Sequence, residues 1–164
     1  MRVYLPGTAA ELRLLRDEGA LPAGLTAFAV TPGLREWYTD DDVAELEYAA
    51  LLEAARAALR LLDADPALPR RRVVVAADVP DAEVTVRDDL DRGVVQLAAA
   101  VPIAAVASVH VDDADAEAAV ATAAQSIVAA DLGDDAAQER VDDAEGFELA
   151  WYATQEIGHL LDTF

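Results

Sequence analysis

From Val43 to Asp63 the apolar residues Val43, Leu46, Ala50, Leu51, Ala54, Ala58, Leu61 and Leu62 recur at helical spacing. They lay one apolar face along a single continuous helix. At ~1.5 Å per residue it is roughly 33 Å long, enough to cross a whole small sheet. Pro66 and Pro69 then break the chain, and Arg72 to Asp78 carries the run Val73-Val74-Val75. A run of that kind belongs to a strand covered on both faces. A one-faced helix of this length beside a fully covered strand implies helices layered on a sheet.

The rest of the chain fits that reading. Arg2 to Leu5 reads as a first strand, Pro6-Gly7 as its turn, and Thr8-Ala9-Ala10-Glu11 as a capping box opening a short helix that Gly19 ends. Leu25 to Thr31 is a second strand, followed by Leu34 to Tyr38 as a loop or single helical turn. Thr39 to Asp42 supplies caps for the long helix. Glu83 to Val86 reads as a short edge strand, Gly93 to Ala99 as a strand, Pro102 as the start of a short helix, and Ala107 to Val111 as a fifth main strand. Asp112 or Asp113 caps an Ala-rich helix to Asp131. Leu132-Gly133-Asp134 breaks it, a short acidic helix runs to Asp143, and Glu145 to Leu161 reads as a last helix. The expected fold is α/β, with α+β as the alternative: one mixed sheet of about five strands in the order β-α-β-α-β-β-α-β. The first two crossovers are long enough to make parallel strands. Residues 1–164 form one domain, with 112–164 as its C-terminal helical part.

Composition narrows the partners. The chain has 164 residues and a formal net charge of −20, with 32 acidic residues against 12 basic ones, all of them Arg. It contains no Lys, Asn or Cys, and 38 of its residues are Ala. Ala and Arg in place of Lys and Asn suit a GC-rich genome, and surface acids also suit a salt-loving host. The acidity argues against nucleic acid, whose phosphates demand a basic stripe, and against an anionic membrane surface. The one basic cluster, Arg70-Arg71-Arg72, reads as a solvated lead-in to the strand that follows. Gly93 to Val111 lacks formal charge with His110 neutral, but Gln96, Pro102, Ser108 and His110 interrupt it as a membrane span. No apolar segment follows Met1, so no secretory leader is expected. The expected location is cytoplasmic, without cofactor or metal.

Motifs for chemistry are sparse. There is no glycine-rich phosphate cradle. The two Ser residues, Ser108 and Ser126, lie outside any nucleophile-elbow pattern. His110 alternates with Val109 and Val111 and reads as an exposed or hydrogen-bonded strand histidine. Glu156 and His159 share a helical spacing used by di-iron bundles, but no second such motif exists. The acidic clusters at Asp40-Asp41-Asp42, Asp88-Asp89-Asp91, Asp112-Asp113-Asp115 and Asp134-Asp135 match no calcium loop and read as helix caps and solvated surface.

One constellation stands out as a ligand site: Arg35, Trp37, Tyr38 and Asp78. If the first strands are parallel, Thr31 and Asp78 end on the same sheet edge, where open α/β sheets bind ligands. An Arg beside two aromatics suits an anionic or planar ligand. A second set, Phe147, Trp151, Tyr152 and Ile157, falls on the last helix. There a stripe of large apolar residues either closes the core or forms an interface.

Met1-Arg2-Val3-Tyr4-Leu5-Pro6, Ala29 to Tyr38, Glu45 to Ala50, Ala105 to Asp112, and Trp151 to Glu156 resemble segments of a family of small uncharacterised actinobacterial proteins. The likeness spans nearly the whole chain. It implies a GC-rich actinobacterial host and brings no activity and no catalytic residue.

These readings together lead to a non-enzymatic domain that binds a protein partner or a second copy of itself. The alternative is a small-ligand enzyme or sensor at Arg35, Trp37, Tyr38 and Asp78.

Overall fold

The capping box expected at Thr8 is formed. In the computed structural model, which describes residues 1–39 and 41–164, the Ala10 backbone N–H donates to Thr8 Oγ1 and Glu11 returns a carboxylate to the Thr8 backbone. Strand β1 (Arg2–Gly7) thus passes directly into helix α1 (Ala9–Asp17). At ~1.5 Å per residue α1 is roughly 13 Å long, shorter than the roughly 20 Å of β1. It cannot return the chain to the start of β1. The chain turns through the two-residue strand β2 (Ala20–Leu21), and β3 (Thr26–Phe28) then runs back along β1 in the antiparallel sense, with Tyr4 opposite Phe28.

Short helix α2 (Pro32–Trp37) follows β3. Its start is tied to a distant hairpin by Asp88, which accepts from Thr31 Oγ1 at 2.6 Å, Gly33 N–H at 2.9 Å and Gly93 N–H at 3.0 Å. A Cβ on Gly33 would lie 2.6 Å from the Asp88 carboxyl carbon, so only glycine allows this approach. Desolvation alone would raise the Asp88 pKa, but these hydrogen bonds outweigh it and hold the carboxyl below its ordinary range.

The long helix is α3 (Val43–Ala64), opened by Asp42, whose carboxylate accepts from Ala44 N–H. Of the expected caps at 40–42, Asp40 lies outside the described residues. Helix α3 leads to β4 (Val73–Asp78), which pairs antiparallel with the other side of β1 along all six residues, from Arg2 opposite Asp78 to Gly7 opposite Val73. Strands β3 and β4 therefore run in the same direction, but β1 lies between them. The parallel neighbours expected from the first two crossovers do not exist: every observed pairing is antiparallel.

Hairpin β5 (Val84–Val86) and β6 (Val94–Leu97) extends the sheet beyond β3. Strand β7 (Val101–Pro102) pairs with β2 in a small separate sheet. Strand β8 (Val106–Val111) pairs with β4. Helices α4 (Glu117–Asp131) and α5 (Asp135–Glu145) follow, and then strand β9 (Ala150–Tyr152) closes the order β5-β6-β3-β1-β4-β8-β9. Among the described residues the sheet has seven strands where about five were expected, and a two-stranded sheet accompanies it. After β9 a single 3-10 turn (Thr154–Glu156) leads into α6 (Ile157–Leu161).

The expected continuous helix from Glu145 to Leu161 is thus wrong. Its residues split into a loop, an edge strand, a 3-10 turn and a five-residue helix. The open edge of β8 takes the segment as a strand, with Trp151 opposite His110. That pairing supplies ladder hydrogen bonds that an isolated helix there would leave unmade on β8.

Alternation along the strands sends side chains to two cores. On one face Val3, Leu5, Val73, Val75, Val109 and Val111 pack with Leu12 and Leu15 of α1 and with Ile157, Leu160 and Leu161 of α6. On the other, Tyr4, Phe28, Val74, Ala76 and Val94 meet Ala50, Ala54 and Ala55 of α3. The C-terminal part of α3, through Leu59 and Leu62, packs with α4 and α5 around Val120, Ile127 and Val141.

The three consecutive arginines are not a solvated lead-in. Arg70 donates to the carbonyl oxygens of Leu62, Leu68 and Asp65, and so closes the C-terminal end of α3. Arg71 pairs with Glu117 at 2.8 Å and lies over the Phe164 ring. Arg72 is fully buried: its Nε and one terminal nitrogen grip both oxygens of Asp112 at 2.8 Å, and the terminal nitrogen also donates to the carbonyls of Ala144 and Phe147. Asp112 is therefore an internal ion-pair partner rather than a helix cap. Asp113 precedes a 3-10 turn (Ala114–Ala116) and caps it with no side-chain hydrogen bond. Among the described residues no helix is long and apolar enough to cross a membrane.

Candidate functional site

Ser108 and His110 are two positions apart on β8, so both point to the α3 face of the sheet. Ser108 Oγ and His110 Nε2 share a hydrogen bond at 3.1 Å. Burial, and secondarily the charge of Arg2, lowers the His110 pKa, which leaves the ring neutral at pH 7. Cross-strand register sets their neighbours. Trp151 stands opposite His110 on β9, and Ala76 opposite Ser108 on β4. On β1, Tyr4 lies beyond Ala76, and Arg2 is held opposite Asp78 by a two-point ion pair at 2.7 and 2.9 Å.

The first half of α3 forms the facing wall. Tyr4 donates its phenol to Glu47 Oε2 at 3.1 Å, and burial followed by the Glu47 charge pushes the phenol pKa up to about 12. Ala44, Glu47, Tyr48 and Leu51 face Arg2, Tyr4, Ser108, His110 and Trp151 across an open groove of about 300 Å³. An adjoining hollow of about 170 Å³ shares Tyr48, Leu51 and His110 and adds Leu52, Glu145, Phe147, Glu148 and Leu149. Two large aromatics flank the groove with half or more of their surface free: Tyr48 is 50% exposed and Trp151 62%.

The Ser108–His110 contact has the first two parts of an activated nucleophile. The third part is missing: no group among the described residues bonds His110 Nδ1 to orient the ring. Ser108 is also buried, beside an irregularity where the register of β8 against β4 shifts between Ala76 and Ala77. No three His, Cys, Asp or Glu side chains among the described residues converge in a way that could hold a metal ion.

A larger cleft of about 430 Å³ lies on another flank of α3, between Glu53, Arg56, Arg60, Phe28, Val94, Asp91 and Asp131. Its two arginines and Asp131 answer one another. Asp131 accepts from Arg60 at 2.7 and 3.0 Å and from Arg56 at 3.2 Å, and Arg56 also reaches Gln138. These contacts fasten α3 to α4 and α5.

The residues singled out in the sequence fall in several places. Arg35 and Trp37 lie in α2, and Tyr38 follows it. One face of the Trp37 ring carries the Arg92 guanidinium at 3.6 Å, while the residue stays 62% exposed, and Asp78 is taken by Arg2. No hydrogen bond, ion pair or ring contact among the described residues joins Asp78 to the other three. Phe147, Trp151, Tyr152 and Ile157 share no helical stripe. Ile157 is buried in the core and Tyr152 packs against it. Phe147 packs against the α4–α5 cluster. Trp151 alone of the four faces solvent broadly, on β9. The groove residues Arg2, Tyr4, Glu47, Tyr48, Ser108 and His110 escaped the sequence reading. The available signal was the alternation Ser108-Val109-His110-Val111, which puts both polar residues on one face. What they face depends on α3 and β9.

No curated protein and no solved structure matches this chain. A family model does match it, over residues 1–161, and the chain belongs to that family of unknown function, DUF6912.

Proposed function

We propose that this protein is a non-enzymatic interaction module whose contact surface is the free edge of β9 and the groove beside it. The observation that carries this reading is Trp151. An indole 62% exposed sits on the last strand of the sheet, which among the described residues pairs with β8 alone. Large aromatics dominate the energetics of protein contacts when a partner covers them, and an unpaired strand edge offers backbone groups to an incoming segment. The alternative of a small-ligand site at Arg35, Trp37, Tyr38 and Asp78 is weaker, since Arg2 takes its carboxylate and Arg92 lies over one face of Trp37.

A photo-crosslinking side chain at position 151, expressed in the native host, tests the reading. It should trap a discrete protein adduct that the same group at Leu132, an exposed apolar control, does not trap. Equal or absent adducts at the two positions would remove the proposal.

A further inference from the structure

The groove is not electrically neutral. Its lining holds three carboxylates, Glu47, Glu145 and Glu148, and one cation, Arg2, whose charge Asp78 already balances from outside the groove. Glu145 is poorly served: its nearest cation, Arg56, lies 3.8 Å away and is shared with Asp131. Burial, with a contribution from Asp142, pushes its carboxyl above its ordinary range against the pull of Arg56 and Arg72. Glu47 is held in place by Tyr4 through one oxygen. Beside these acids stand the open faces of Tyr48 and Trp151, and aromatic faces attract cations. The whole chain carries a net charge of −20, which repels a second copy and favours a basic partner.

Resting on the interaction reading above, we infer that the groove receives an arginine or lysine side chain presented by an extended basic segment of another protein that adds as a strand to β9. A strand added there would lie about 4.8 Å from β9. Its residue opposite Trp151 then extends over the indole toward the acidic lining. The cation meets the faces of Trp151 and Tyr48 and pairs with Glu145 and Glu148, while main-chain pairing along β9 holds the segment.

The test is an NMR titration of the full chain with a short, blocked, strand-forming peptide carrying one central arginine, against the same peptide with neutral citrulline in that position. The arginine peptide should move the Trp151 indole N–H and the His110 ring signals and bind about tenfold more tightly than the citrulline peptide. Replacing the exposed pair together, Glu145→Gln with Glu148→Gln, should reduce the arginine preference about fivefold or more while leaving the spectrum of the core unchanged. Equal affinity for the two peptides, with Trp151 shifting in both, would overturn the cation inference and leave the edge-strand reading standing. Shifts scattered over the acidic helices, with affinity unchanged in the double variant, would overturn it as non-specific charge attraction. No shift at Trp151 with either peptide would overturn both.

Discussion

Arg72 and Asp112 bring two charges into the interior, and each contact they make closes a gap between elements. The Asp112 carboxylate also takes the Arg72 backbone N–H at 2.8 Å, joining the starts and ends of β4 and β8. The Arg72 terminal nitrogen that grips Asp112 also donates to the end of α5 and to the loop before β9. Removing one partner strands the other charge without water. Asp112→Ala should therefore cost about 3–5 kcal/mol in urea denaturation, whereas replacing both residues by apolar ones of similar size should recover most of that. A single-variant loss below about 1 kcal/mol would mean that water reaches the site. His110 predicts a pH effect with a definite sign. Its folded pKa is depressed, so protonation favours the unfolded chain. The stability tied to the neutral ring is present above the unfolded value near 6.5 and is lost as pH falls through the lower, folded value. Between about pH 7.5 and about pH 5.5, above the main carboxylate range, the native chain should lose stability and His110→Gln should lose less. Parallel stability curves for the two would show that His110 is not the titrating group.

At the scale of elements, the last twenty residues do two jobs. Strand β9 covers the edge of β8 and presents Trp151, while α6 seals the face of the sheet that α1 covers. Ile157, Leu160 and Leu161 are all in that core, with Ile157 only 2% exposed. Burying side chains of this size stabilises a fold by roughly 1.5–3 kcal/mol each, so together they approach the whole stability of an ordinary domain. A chain ending at Ala144 should show no cooperative thermal transition. If it melts cooperatively near the native temperature, the C-terminal segment is an appendage. Trp151 itself contributes little to the fold, which separates the two jobs: the strand is structural through its backbone, and its indole is available to a partner.

At the scale of the molecule, charge dominates. Twelve arginines can neutralise at most twelve of the 32 acids, and Arg72 and Arg70 are committed internally. The excess acids repel one another across helices α3, α4 and α5. Raising NaCl from about 10 mM to about 300 mM shortens the screening length from roughly 30 Å to below 10 Å. The melting temperature should rise by several degrees over that range. A flat profile would mean that the acids are dispersed well enough not to repel. The same field gives the proposed basic partner a salt-sensitive association rate.

Local features of the chain were legible because their causes are local. The Thr8–Glu11 capping box, the apolar face of α3 and the buried run Val73–Val75 are set by hydrogen bonds and side-chain spacing within a few residues; the structure keeps the first and the third, and of the expected α3 face it buries Leu46, Ala50, Ala54, Ala58 and Leu62 while Val43 and Leu61 are exposed. Pairing direction was not legible, because it depends on where a nine-residue helix leaves the chain relative to β1. Nor was the strand at Ala150–Tyr152. The spacing of Phe147, Trp151, Thr154, Ile157 and Leu161 fits a helix, and only the unfilled edge of β8 converts it. The burial of Arg72 needed Asp112, forty residues away, to be its neighbour. The groove drew on β1, β4, β8, β9 and α3 at once. The sequence by itself determined helices α1, α3, α4 and α5, the main strand cores and the acidic surface, each of which follows from neighbours along the chain. Only the tertiary structure decided which strands pair, which charges are internal and which aromatics remain open, because those depend on contacts between residues far apart in sequence.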